Sequence, residues 1–251
     1  PLVTVVLAGG TGTRLYPASR PDHPKQLRTF GGDRSLLDAT VDRAAFADET
    51  YVLTRPSLAA AVQNEVPEAA TLVEPAPMDT GPALVYAAHR IREQVGDAVL
   101  CCLPSDHHVS GDFAGTMRTA ATVAIETGGL VTVGVEPDRP ATGYGYIRPG
   151  EAGNGFSRVA EFVEKPDAES AEGYVAAGYF WNAGMFAWTP QAFLDASRDS
   201  SLAPLVSALE AGEPDRGFDA VEAESVDHAI LERAGDVYVV PADFAWDDLG
   251  T

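Results

Sequence analysis

The sequence predicts an α/β fold: a Rossmann-like, mostly parallel sheet flanked by helices, followed by a smaller mixed part. Three observations carry this. Short apolar, β-branched runs alternate with helical segments over the first 135 residues, which is the pattern of βαβ units. The first run, Leu2 to Ala8, passes directly into Gly9-Gly10-Thr11-Gly12, a glycine-rich loop at the end of a strand. From Gly143 the alternation gives way to hairpin-like segments, YGYIRP and FSRVAEFVEK, and then to shorter mixed elements.

Each element follows from local signals. LVTVVLA reads as a buried parallel strand. Ser35-Leu36-Leu37-Asp38 resembles a capping box and predicts a helix to about Phe46. TYVLT (50–54) is a strand, 57–65 a helix, TLVE (71–74) a strand, and Thr80 to Val95 a long helix. DAVLCCLP (97–104) is a strand, Phe113 to Thr127 a helix, and GLVTVGV (129–135) a strand. Cys101 and Cys102 are neighbours in a strand, so they point to opposite faces and cannot pair. They read as small buried hydrophobes. Ligands of such sheets bind beyond the carboxyl ends of the strands, where GGTGTR, EPAPMDTG and LPSDHH all fall.

Composition narrows the function. A hydrophobic content of 45% is that of a globular chain, and no run of 18 apolar residues could span a membrane. The chain enters a strand and loop without a basic leader, so a cytoplasmic location is expected. A net charge of −20 argues against a nucleic-acid partner. A phosphorylated ligand would then need cations gathered locally, with a divalent metal adding more. The excess of Asp and Glu resembles proteins of salt-adapted organisms, in which high salt screens self-repulsion.

Only two lysines occur, Lys25 in HPKQ and Lys165 in VEKP, against fifteen arginines. A lysine ammonium is a compact point charge, whereas Arg is a planar fork. Gly9, Gly10 and Gly12 let backbone N–H groups approach an anion, and Arg14, Arg20 and Lys25 add cations. No Gly-Lys-Ser/Thr follows, and the third Rossmann glycine is missing, so this is neither a Walker loop nor a dinucleotide fingerprint. In LPSDHH, the consecutive Ser105, Asp106 and His107 cannot form a nucleophile–base–orienter line. Asp106, at a strand end, can instead supply oxygen to Mg²⁺ or cap a turn.

LAGGTGTRLYPASRPDHPKQ resembles the signature of the sugar-1-phosphate nucleotidyltransferases. Its PKQ ending, with EPAPMDTGPA, LPSDHHV, GVEPDRPATGYGYI, FVEKPD, GYFWNAGMFAW, SVDHAILER and FAWDDLGT in order, is most similar to the mannose-1-phosphate guanylyltransferases. The resemblance implies a GT-A-like nucleotidyltransferase domain over residues 1–251. Residues 1–142 would form the nucleotide half and 143–251 the sugar-phosphate half. Members commonly continue past the last motif, so a C-terminal segment is expected to be absent here, and the opening Pro1 fits trimming.

The implied reaction transfers GMP from GTP to mannose 1-phosphate, giving GDP-mannose and diphosphate. Leu7, Ala8, Gly9, Gly10, Gly12, Thr13, Arg14 and Lys25 would hold the nucleotide. Gly143, Glu164, Lys165 and Asn182 would hold the sugar phosphate. Arg14, Lys25 and Lys165 would be catalytic, and Asp106 with Asp248 would hold Mg²⁺, leaving Asp247 as a neighbour. One segment departs from the family: Met78-Asp79-Thr80-Gly81 stands where Arg-Asn-Thr-Ala is usual. Asp79 can accept from guanine N1–H and N2–H₂, with Gly81 beside it. Two other readings stay open, a glucose-1-phosphate thymidylyl- or uridylyltransferase and a non-catalytic nucleotide-sugar sensor. A homodimer is compatible with all of them.

Overall fold

The computed structural model of the chain describes residues 1–10, 25–29 and 34–248. β1 (Leu2–Leu7) is the apolar opening run, its middle four residues buried as a strand covered on both faces must be. The Ser35 hydroxyl accepts from the Asp38 N–H at 3.0 Å and starts α1 (Leu36–Arg43), which tightens into a 3₁₀ turn reaching Phe46. β2 (Glu49–Thr54), α2 (Ala59–Glu65), β3 (Ala70–Val73) and α3 (Thr80–Val95) follow, then β4 (Val99–Pro104). β5 (His108–Gly111), α4 (Phe113–Thr127) and β6 (Leu130–Val135) complete the first part. Gly128, in the left-handed region at φ 68°, ends α4. The second part holds β7 (Tyr146–Ala152), β8 (Ser157–Val163), α5 (Ala168–Ala176) and β9 (Phe180–Trp188). It continues with α6 (Pro190–Arg198), α7 (Ala203–Glu210), α8 (Pro214–Asp219), a π-helical turn at Asp227–Leu231, β10 (Val237–Pro241) and β11 (Phe244–Asp247).

Among the described residues nine strands form one sheet in the order β3-β2-β1-β4-β9-β6-β10-β8-β7. The first four strands of the sheet are parallel, as the βαβ pattern requires: β2 pairs with β1 and β3, and β1 with β4. The whole sheet is more mixed than the alternation suggests. β9 runs antiparallel between β4 and β6, and it also pairs with β7. β9, β6, β10, β8 and β7 therefore close on themselves in a ring. Non-local pairings of this kind leave no mark in local periodicity.

Helices cover both faces. α3, α6, α7 and α8 pack Leu84, Ile91, Phe193, Leu205 and Phe218 against one side, where Cys102, Phe186 and Trp188 also lie. α4 covers the other with Met117, Ala120 and Val123, against Cys101, Val131 and Met185. Cys101 and Cys102 thus face opposite layers, and burial pushes the Cys101 thiol up to about 12. No helix of the described residues is long and apolar enough to cross a membrane.

Candidate active site

A cleft of about 590 Å³ opens beyond the carboxyl ends of β1 and β4. One end is lined by Leu7, Gly9, Gly10, Glu74 and Asp79, and the other by Gly143, Gly145, Glu164, Asn182 and Asp227. Asp106, His107, Trp246 and Asp248 line it as well.

Lys25 organises the charged centre. Its side chain is 4% exposed, and its Nζ lies 3.3 Å from Asp106 Oδ2 and 3.7 Å from Asp248 Oδ1. Three residues from distant parts of the chain meet there. A buried ammonium needs such partners, because desolvation would otherwise outweigh folding gains. Lys25 is held by the next residue: Gln26 Nε2 donates to the carbonyls of Ala8 at 3.0 Å and Gly10 at 3.1 Å. Ala8 is fully buried and outside the cleft lining, and its carbonyl also accepts from the Thr54 hydroxyl. Gly12, Thr13 and Arg14 lie outside the described residues.

Strand geometry separates the two adjacent aspartates. β11 pairs antiparallel with β5, Trp246 opposite Val109 and Asp247 opposite His108. Side chains alternate along a strand, so Phe244, Trp246 and Asp248 face inward while Ala245 and Asp247 are exposed. Trp246 Nε1–H donates to His107 Nδ1 at 3.0 Å, their rings edge-on at 5.3 Å. Burial lowers the pKa of His107. With Nδ1 accepting, the neutral ring carries its proton on Nε2, 3.8 Å from Asp106 Oδ1. Ser105 donates to the Leu7 carbonyl at 2.6 Å and takes no part in a nucleophile relay.

The end of the cleft at Gly9 and Gly10 contains a carboxylate that sequence reasoning passed over. Glu74 is buried, its Oε2 has no hydrogen-bond partner among the described residues, and burial raises its pKa to about 7, with Arg55 drawing it partly back. A Cβ on Gly9 would lie 2.9 Å from Glu74 Oε1, so a larger residue there would have to push the Glu74 carboxyl aside. Asp79 lines the cleft, but its Oδ1 accepts from the Thr80 N–H at 2.7 Å and starts α3. Gly81 is turned away from the cleft. Its N–H donates to the Glu224 carbonyl at 2.9 Å, and an added Cβ would lie 2.6 Å from that oxygen, so it serves packing rather than the nucleotide.

At the other end Gly145 meets Glu164, whose Oε1 would overlap any Cβ placed there. Burial and the neighbouring Asp227 carboxylate push the Glu164 carboxyl up, while Lys165 opposes them. Lys165 itself is exposed and outside the cleft lining, with its backbone in the left-handed region at φ 41°. That conformation is costly for a side-chain-bearing residue and clusters at functional sites. Tyr144 packs edge-on against Trp181 at 5.1 Å and Trp246 at 5.0 Å. Asn182 Nδ2 donates to Asp227 Oδ1 at 2.7 Å. SVDHAILER was visible as a motif, but nothing in it signalled that Asp227 turns into the cleft.

These features define an α/β protein whose ligand cleft opens at the carboxyl ends of its parallel strands and holds a buried lysine between two aspartates. The nucleotidyl transferase family model matches residues 3–251. The xanthan biosynthesis protein XanB of Xanthomonas campestris pv. campestris (strain B100) is 38% identical over 272 residues. The mannose-1-phosphate guanylyltransferase of Escherichia coli (strain K12) is 36% identical over 278 residues. Each alignment takes in 100% of this chain but 58% of the relative, so the chain spans little more than half of their length. The crystal structure of a mannose-1-phosphate geranyltransferase from Thermus thermophilus superposes with a TM-score of 0.91 at 31% identity, over 99% of this chain and 76% of that one. The chain belongs to the nucleotidyl transferase family.

Proposed function

We infer that this chain transfers a nucleoside monophosphate from a nucleoside triphosphate to a hexose 1-phosphate, with GTP and mannose 1-phosphate as the substrates and GDP-mannose and diphosphate as the products. The observation that carries this reading is the single cleft joining Gly9, Gly10 and the Lys25–Asp106–Asp248 centre to Glu164, Asn182 and Asp227. A phosphate oxygen of the sugar phosphate attacks the α-phosphorus, the bond from that phosphorus to the bridging oxygen breaks, and diphosphate leaves with the electron pair. The attacking oxygen is already ionised, so no general base is required. The protein contributes positioning and charge.

Asp106 and Asp248 suit Mg²⁺, which favours oxygen donors and takes one or two carboxylates with substrate phosphates filling the remaining positions. When bound, the metal supplies neutralisation of charge developing on the phosphates. Lys25, now held by the same two carboxylates, is then placed to meet a phosphate instead. Lys165 and Arg14 supply the remaining cations. Glu74 offers the base an acceptor for N–H groups, alongside Asp79. The naming of the Escherichia coli relative supports guanine and mannose. Diphosphate release across four nucleoside triphosphates and three hexose 1-phosphates, with Mg²⁺, tests the reading. Release with no pair would overturn it, and a preference for UTP or dTTP with glucose 1-phosphate would replace the substrates.

A further inference from the structure

Asn182, expected from the sequence to hold the sugar phosphate, has an amide that is already engaged. Nδ2 donates to Asp227 Oδ1 at 2.7 Å, and Oδ1 accepts from the Gly184 N–H at 3.1 Å and the Thr132 hydroxyl at 3.1 Å. Its backbone N–H donates to the Gly145 carbonyl at 2.9 Å. Oxygen toward two donors and nitrogen toward a carboxylate is the one sensible orientation of that amide. What these bonds hold still is Asp227. It opens the π-helical turn Asp227–Leu231, an irregularity that recurs at functional sites.

Asp227 lines the cleft with Glu164, Gly145 and Asn182. Among the described residues Asp227 Oδ2 receives no hydrogen bond from another residue, and neither does the Glu164 carboxyl. Burial raises the pKa of both; the Asp227 carboxylate adds to the rise at Glu164, and Glu232 and Asp79 add to that at Asp227. Two acceptor-only groups facing one space call for donors. Sugar hydroxyls are donors, whereas a phosphate or a base carbonyl is not. The same negative charge repels a phosphate, so it orients a sugar phosphate with its anion toward Lys25 and its ring hydroxyls toward Asp227.

We propose that Asp227 is a specificity-determining residue that accepts a hydrogen bond from a ring hydroxyl of the hexose, and that Asn182 and Thr132 are positioning residues that fix its carboxylate. The proposal rests on the sugar-phosphate reading of the cleft. Asp227→Asn keeps the acceptor oxygen for Asn182 while removing the charge, and hydrogen bonds to charged groups are the stronger kind. The expected result is a sugar-phosphate KM raised on the order of 10-fold with the nucleotide KM unchanged.

The decisive arm uses monodeoxy hexose 1-phosphates lacking one hydroxyl each. The wild-type penalty for one of these positions should vanish in Asp227→Asn, because the partner of that hydroxyl is gone. Retention of every wild-type deoxy penalty would overturn the proposal. Thr132→Val, isosteric and outside the cleft lining, should raise the sugar-phosphate KM less and leave the nucleotide KM alone. If Asp227→Asn does not fold, an unchanged sugar-phosphate KM in Thr132→Val overturns the proposal by itself. Wild-type protein that releases no diphosphate with any hexose 1-phosphate would instead strike the reading beneath it.

Discussion

At the scale of single residues the centre is a lysine that two acids hold in place. Removing it leaves Asp106 and Asp248 facing each other without their shared cation. Lys25→Ala should lower kcat by roughly 10²–10³ while sugar-phosphate binding, read by calorimetric titration, changes little. Wild-type turnover would mean that Lys25 only packs. Glu74 gives a pH signature. Its folded pKa of about 7 lies above the ordinary 4.5, so burial favours the protonated form. The associated stability is fully present below about pH 4.5 and is lost as pH rises to about 7, a change on the order of 3 kcal/mol. Glu74→Gln is neutral throughout, so its unfolding free energy relative to wild type should rise across that window in chemical denaturation. A constant offset from the buried amide would leave that slope intact, and a flat difference would contradict the shift. Lys25 and Asp106 stood out locally, in a glycine-rich loop and at a strand end, whereas Asp248 was singled out only by the resemblance of its motif; the structure brings the three together. Glu74 and Asp227 were not legible, because their importance comes from burial and from partners far along the chain.

At the scale of elements, local signals carried far. The Ser35 cap and both ends of α3 and α4 lie where the sequence places them, since caps and periodicity act within a few residues. The pairing of β5 with β11 was not legible, although it decides which of Asp247 and Asp248 faces the cleft. The same ribbon carries Trp246, whose indole joins His107 and Tyr144 and so links the acids at the centre to the glycine segment over the far end. Trp246→Phe keeps most of the ring packing but removes the N–H donated to His107. It should raise the Mg²⁺ concentration needed for half-maximal turnover several-fold, with little change in thermal midpoint. An unchanged requirement would show that the indole contributes packing alone. Gly145→Ala should raise the sugar-phosphate KM, because the new methyl group displaces Glu164.

At the scale of the whole molecule, charge and topology set the behaviour. A net charge of −20 on 251 residues means that like charges repel throughout the folded surface. Screening strengthens as the Debye length shrinks to about 3 Å at 1 M salt, so the thermal midpoint should climb with NaCl in scanning calorimetry. A midpoint that falls instead would show that ion pairs such as Arg148–Glu161 outweigh the repulsion. Topology has a separate effect through β9. Ala187, in the second half of the chain, sits opposite both Cys101 and Val131 of the first, and β9 also pairs with β7, so one strand of the second half bridges two strands of the first. Neither half can then open alone, because releasing either one strips hydrogen bonds from the other. The amide protons at the centre of that strand should exchange with deuterium only when the entire chain unfolds, and a chain nicked between residues 142 and 143 should yield two fragments that fold together or not at all.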